Sequence, residues 1–84
     1  MVAIVRTTVK ELGAALVDAR LSAGLTQEEL ARRSGVSRKW IGAVEAGGRP
    51  GAEVGKLFAV LRALGMGVQV APTGDQPVRP ENEE

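Results

Sequence analysis

The stretch Gln27-Glu28-Glu29-Leu30-Ala31-Arg32-Arg33-Ser34-Gly35-Val36-Ser37-Arg38-Lys39-Trp40-Ile41-Gly42-Ala43-Val44-Glu45 decides the fold. Thr26 stands just before it and Glu29 three residues after Thr26. That is the spacing of a capping box, in which the hydroxyl and the carboxylate satisfy each other's backbone donors. A helix therefore opens at this point, carries Leu30 and Ala31 inward and ends at Gly35. Ser37 is the next N-cap, and a third helix runs over residues 38–45 with Ile41 and Val44 on its buried face. Two short helices joined by a tight glycine turn must cross steeply. The crossing needs a small residue where the helices touch, which is Ala31, and a residue tolerant of positive φ in the turn, which is Gly35. Val36, Ile41 and Val44 fill the wedge. Ser37, Arg38, Lys39 and Gly42 are left on the outer face, a set suited to base edges and phosphates in a major groove. Such a helix pair also occurs in ordinary helical domains, so geometry alone leaves a non-binding fold open.

Outward from this centre, Thr8-Val9-Lys10-Glu11 has capping-box spacing and opens a first helix that runs to about Ser22. Leu12, Leu16 and Arg20 follow at four-residue steps with Val9 and Ala19 flanking the same face, and Gly24 terminates the helix. On the other side, Gly47-Gly48-Arg49-Pro50-Gly51 is a break. A fourth helix over about residues 52–64 places Val54, Leu57, Phe58, Leu61 and Leu64 inward, with Gly55 weakening its first turn. Gly65 and Gly67 end it. Met66-Gly67-Val68-Gln69-Val70-Ala71 then alternates apolar and polar with the period of a strand. Pro72, Pro77, Pro80 and the terminal acids read as a disordered tail. The organisation is a lead-in (1–7), a helical domain (8–65), a strand (66–71) and an acidic tail (72–84).

The chain has 84 residues, enough for one small domain. A domain near this size buries only about 60% of its unfolded surface and is marginal alone. It contains no cysteine and no histidine, which removes disulfide frameworks, thiolate metal sites and the commonest general base. No enzyme activity, cofactor or metal is expected. The longest uncharged run, residues 63–74, has twelve residues and is too short to span a bilayer. Arg6 stops the apolar Met1-Val2-Ala3-Ile4-Val5 short of a signal-peptide core, so a cytoplasmic, nucleoid-associated location is expected. The net charge of +1 divides into +4 over residues 1–71 and −3 over residues 72–84. Arg32, Arg33, Arg38, Lys39 and Arg49 cluster against Glu45 alone within residues 31–50. Such a stripe marks a nucleic-acid surface or a plain solvated face.

Leu25-Thr26-Gln27-Glu28-Glu29-Leu30-Ala31-Arg32-Arg33-Ser34-Gly35-Val36-Ser37, continued by Ile41, Glu45-Ala46-Gly47, Leu61 and Ala63-Leu64-Gly65, resembles the phage-repressor-like (Cro/C1, or XRE) helix-turn-helix family. The resemblance covers about residues 8–65. It implies a mainly α, compact, repressor-like DNA-binding domain of four to five helices, with the residues 66–71 strand pairing across a dimer. It also implies that Gln27 anchors the second helix to a phosphate, and that Ser37, Arg38, Lys39 and Gly42 meet base edges or the adjacent backbone. Within the family the chain is most similar to HipB-like antitoxins, through its length, its short lead-in and the strand after the last helix. That similarity implies a HipA-like serine/threonine kinase toxin as partner and autoregulation of a toxin–antitoxin operon.

Several single residues have a plainer reading beside the functional one. Arg20 and Glu45 each place a charge on an apolar face, and an unpaired buried charge is costly, so they form one structural ion pair. Arg38 reads guanine bidentately or touches phosphate only; Lys39 divides the same way. Gly42 permits close approach but reads nothing, a departure from the Ser or Asn more usual in the family. Trp40 stacks on sugar–phosphate or packs over the start of the fourth helix. Arg33 and Arg49 are phosphate contacts or solvated, and Arg32 faces solvent. Val68, Gln69 and Val70 are the dimerisation residues. Their strand pairs with its own copy across a two-fold axis or with residues 2–5, because a lone strand leaves its backbone groups unpaired. The expected partners are a palindromic double-stranded DNA operator, a second copy of the chain and the kinase toxin. A stand-alone regulator and a protein–protein adaptor that keeps the fold without reading DNA are the alternatives. The acidic tail competes for Arg38 and Lys39 or only solubilises.

Overall fold

The architecture was taken from a computed structural model, which describes residues 8–49 and 51–74. Four helices follow one another in it: α1 (Val9–Ser22), α2 (Gln27–Ser34), α3 (Arg38–Glu45) and α4 (Val54–Ala63). Three of the four starts are fixed by a side-chain cap. Thr8 Oγ1 accepts from the Glu11 backbone N–H at 3.1 Å and donates to the Glu11 carboxylate at 3.0 Å. At α2 the capping box is complete: Thr26 Oγ1 accepts from Glu29 N at 3.0 Å, and Glu29 Oε1 accepts from Thr26 N at 2.9 Å. Ser37 Oγ accepts from Trp40 N at 3.1 Å and opens α3. Glu53 precedes α4 without a side-chain cap.

The α2–α3 turn is as tight as its sequence demands. Gly35 sits at φ +75°, where a Cβ would be strained, and donates its N–H to Ala31 O at 2.9 Å. Ser34 Oγ accepts from Val36 N at 3.2 Å, which turns Val36 down into the core. Helix α2 packs on both α3 and α4, and α1 packs on α3.

The core is Leu16, Leu25, Leu30, Val36, Trp40, Ile41, Val44, Val60 and Leu61, with Ala31, Leu57, Ala63 and Leu64 packed against it. Each large aliphatic there contributes roughly 1.5–3 kcal/mol of transfer free energy, and all but Leu25 and Val36 come from the four helices. Gly13 is buried where α1 meets α3, its missing side chain letting the α1 backbone lie directly on the Val44 carbonyl.

Some expectations are corrected. Val54 and Phe58, read as inward, are 62% and 39% exposed, while Val60, not singled out, is buried. The inward stripe of α4 is rotated so that Val60 and Leu61 meet α2, with Leu57 and Leu64 alongside. Leu12 is half-buried and stays outside the core cluster, because Gly13 takes the contact with α3. Residues 66–71 form no ladder with any described residue, and their side chains are exposed; a strand needs a partner, and none stands among the described residues. The lead-in at residues 2–5 and the acids from Asp75 onward lie outside the described residues.

Candidate nucleic-acid interface

Helix α3 divides cleanly. Trp40, Ile41 and Val44 are buried, whereas Ser37, Arg38 and Lys39 are exposed at its first turn and Gly42 lies half-buried one turn on. The helical repeat sets Arg38, Lys39, Gly42 and Ala46 on the face opposite the core. Ser37 spends its hydroxyl lone pair on the cap, and its hydroxyl hydrogen remains a donor. Arg32 and Arg33 are exposed at the end of α2, beside the turn. None of Arg32, Arg33, Arg38 and Lys39 shares a salt bridge among the described residues. Four cations without salt bridges around one helix start form a local positive field that draws polyanions.

Two further residues lie beside this face. Trp40 is 3% exposed and belongs to the core, in keeping with the packing side of its two readings. Its indole N–H makes no hydrogen bond of good geometry, but the Glu53 carboxylate is near enough to feel it. Glu53 is held below the usual carboxylate range first by Lys56, whose ammonium lies 2.8 Å away, and more weakly by Trp40 and Arg49. Arg49 is exposed and pairs with Glu53 at 3.2 Å, an exposed contact that gives way readily to a phosphate.

Behind the reading face lies the ion pair. Arg20 Nε donates to Glu45 Oε2 at 2.7 Å and Nη2 to Oε1 at 3.0 Å, with the two side chains 11% and 5% exposed. The bidentate geometry raises the Arg20 pKa still further above its ordinary value, chiefly through the hydrogen bond to Glu45. The third donor, Nη1, reaches Leu25 O at 2.8 Å and ties the α1–α2 turn to the pair. The sequence reading missed the last member: Gln27 Nε2 donates to Glu45 Oε1 at 2.9 Å. Gln27 and Glu45 are eighteen residues apart on different helices, and only the steep crossing brings them together.

No group of three or more His, Cys, Asp or Glu among the described residues could hold a metal ion. No helix among them is long and apolar enough to cross a membrane.

Four helices, a glycine turn and a solvent-facing basic third helix define a helix-turn-helix protein. A family model described as a helix-turn-helix domain matches residues 11–72, and the chain belongs to that family, within its phage-repressor (XRE) type of DNA-binding transcriptional regulator. An uncharacterised HTH-type transcriptional regulator of Sinorhizobium fredii, y4mF, is 35% identical over 69 residues, covering 82% of this chain and 90% of the relative. Among solved structures, HipB in a complex with an O4 20-mer superposes with a TM-score of 0.77 at 21% identity, covering 84% of this chain and 99% of HipB. HipB in a HipA–HipB–O2–O3 complex gives 0.75 at 24% identity over the same shares. The restriction-modification controller protein C.AhdI of Aeromonas hydrophila gives 0.66 at 32% identity, covering 70% of this chain and 88% of the controller.

Proposed function

We propose that the chain is a dimeric, sequence-specific repressor that lays α3 in the major groove of a palindromic operator. The observation that carries this is the α3 surface. Ser37, Arg38 and Lys39 stand exposed, the two cations without a salt bridge among the described residues, on a helix whose other face is locked by Trp40, Ile41 and Val44. A rigid helix presenting donors at its N-terminal turn matches the docking of helix-turn-helix modules, in which those residues reach base edges. Arg38 takes guanine O6 and N7, and Lys39, Arg33 and Arg49 take phosphates. Gln27 adds a phosphate contact from α2, and Gly42 allows close approach.

Dimerisation through Val68, Gln69 and Val70 is part of the same reading. Val68 is 56% and Val70 97% exposed, and Met66, Val54 and Phe58 add apolar surface without a partner among the described residues. A second copy aligned strand to strand would bury these groups and pair their backbones. Two recognition helices would then stand about 34–36 Å apart, one DNA turn.

The fold likeness to HipB, solved with HipA, supports an antitoxin version in which the repressor also binds a HipA-like serine/threonine kinase toxin and represses the operon encoding both. The 32% identity to a restriction-modification controller protein favours a second reading, a stand-alone regulator. A kinase-like reading frame beside this gene, whose product co-purifies with the chain, supports the first version; its absence supports the second.

Affinity for duplex DNA across a salt series tests the common core of both. A binder neutralising Z phosphates gives a slope near −0.9Z in log K against log salt. An adaptor that does not bind DNA shows no affinity to titrate.

A further inference from the structure

Glu45 is one half of a structural ion pair and also accepts a hydrogen bond from Gln27. The amide of Gln27, the first residue of α2, lies across α3 beside Gly42. A Cβ on Gly42 would stand 3.6 Å from Gln27 Oε1 and 3.8 Å from Nε2, in ordinary contact with the amide. Gly42 is one turn beyond Arg38 on the outward face of α3. The Gln27 head group therefore occupies the place on the reading face where α3 supplies no side chain of its own.

We infer that Glu45 is a positioning residue for the DNA interface, holding the Gln27 amide over Gly42 so that α2 contributes a fixed hydrogen-bonding group to the recognition surface. The inference rests on the DNA-binding reading above. A carboxylate only accepts, so Glu45 Oε1 turns the NH2 side of the amide toward itself at 2.9 Å and sets which way the group faces. Arg20 grips the same carboxylate through two bonds and the Leu25 carbonyl through a third, so the acceptor is anchored to the end of α1 and the turn that leads into α2. One Nε2 hydrogen and the Oε1 lone pairs remain for DNA. A phosphate would take the donor alone, and an adenine edge would take donor and acceptor together. A group held in its bound geometry before DNA arrives has less side-chain freedom to lose on binding.

The test is a double-mutant cycle on operator affinity with the full chain, using Gln27→Ala, Glu45→Gln and the double variant, each shown folded by circular dichroism. Losing one such contact weakens binding about two- to tenfold. The expected result is a comparable loss for each single variant and no further loss for the double. A uniform loss across duplex sequences assigns Gln27 to phosphate, and a loss confined to one base pair assigns it to a base edge; either pattern supports the inference. Losses that multiply, or a Glu45→Gln protein that binds like the wild type while Gln27→Ala does not, overturn it. If Glu45→Gln does not fold, NMR relaxation of the Gln27 side-chain amide in the DNA-free wild type decides. A restrained amide is expected, and one as mobile as an exposed glutamine overturns the inference. If the wild type prefers no duplex sequence, the DNA-binding reading fails, and the amide measurement still tests whether Glu45 holds Gln27.

Discussion

Gly13 shows how much of this fold rests on a single missing methyl group. Glycine in a helix interior ordinarily costs up to about 1 kcal/mol against alanine, so Gly13→Ala would be stabilising by propensity alone. The Cβ it adds points into the Val44 carbonyl, which is backbone and cannot swing aside. Overpacking of this kind costs about 1–3 kcal/mol, and α1 must back away from α3. The expected result is a lower melting temperature, by about 4–8 °C for each kcal/mol lost; an unchanged or higher Tm would show that the helices do not meet there. Arg38 is the opposite case, an exposed residue whose loss should leave the fold alone. Arg38→Ala is expected to keep the wild-type Tm while relaxing discrimination at one base pair by about 1–3 kcal/mol, read from affinities for single-substitution duplexes. A uniform loss at every position would make Arg38 a phosphate contact instead.

Among the four helices of the described residues, α2 carries the complete capping box. The carboxyl of Glu29 is held below its ordinary value of 4.5 first by the backbone hydrogen bond from Thr26 and then by the Thr26 hydroxyl, with smaller help from Arg32 and Arg33. A lowered carboxyl pKa contributes stability that is fully present above the ordinary value and is lost as pH falls through the lowered one. Urea unfolding at pH 7 and pH 3 should therefore show a smaller acid-induced loss in Glu29→Ala than in the wild type; equal losses would exclude the cap as a source of acid sensitivity. Capping signals like this were legible in the sequence because they are local: Thr26 with Glu29, Ser37 before Arg38, and Gly35 after Ser34 each act within four residues. The Arg20–Glu45 pair was legible too, since two charges on two apolar stripes have few ways to avoid a desolvation penalty. The Gln27–Glu45 bond was not, because Gln27 is polar at a helix start where solvent is the ordinary partner. The rotation of α4 was also hidden: Val54, Leu57, Phe58, Val60 and Leu61 spread over nearly half of the helix circumference, wider than one contact needs, and only contact with α2 chooses Val60 and Leu61 over Val54 and Phe58. Trp40 was ambiguous for the same reason, its indole being able to face either side until Ile41 and Val44 fixed the buried stripe.

For the molecule as a whole, the apolar surface left outside on Val54, Phe58, Met66, Val68 and Val70 and the charge split between +4 over residues 1–71 and −3 beyond them fit the proposed unit of two chains on DNA. Val70→Asp is expected to shift sedimentation from dimer to monomer with helix content unchanged, and to weaken operator binding by uncoupling the two half-sites. A Val70→Asp protein that stays dimeric would move the interface away from the residues 66–71 segment. The central claim is sequence-specific DNA recognition by α3, and it is tested most directly by selecting binding sites for the full chain from a library of randomised duplexes. The account predicts enrichment of one palindrome with half-sites about one helical turn apart, and loss of a single base preference in each half when Arg38→Ala replaces the wild type. Recovery of duplexes with no common sequence would contradict it.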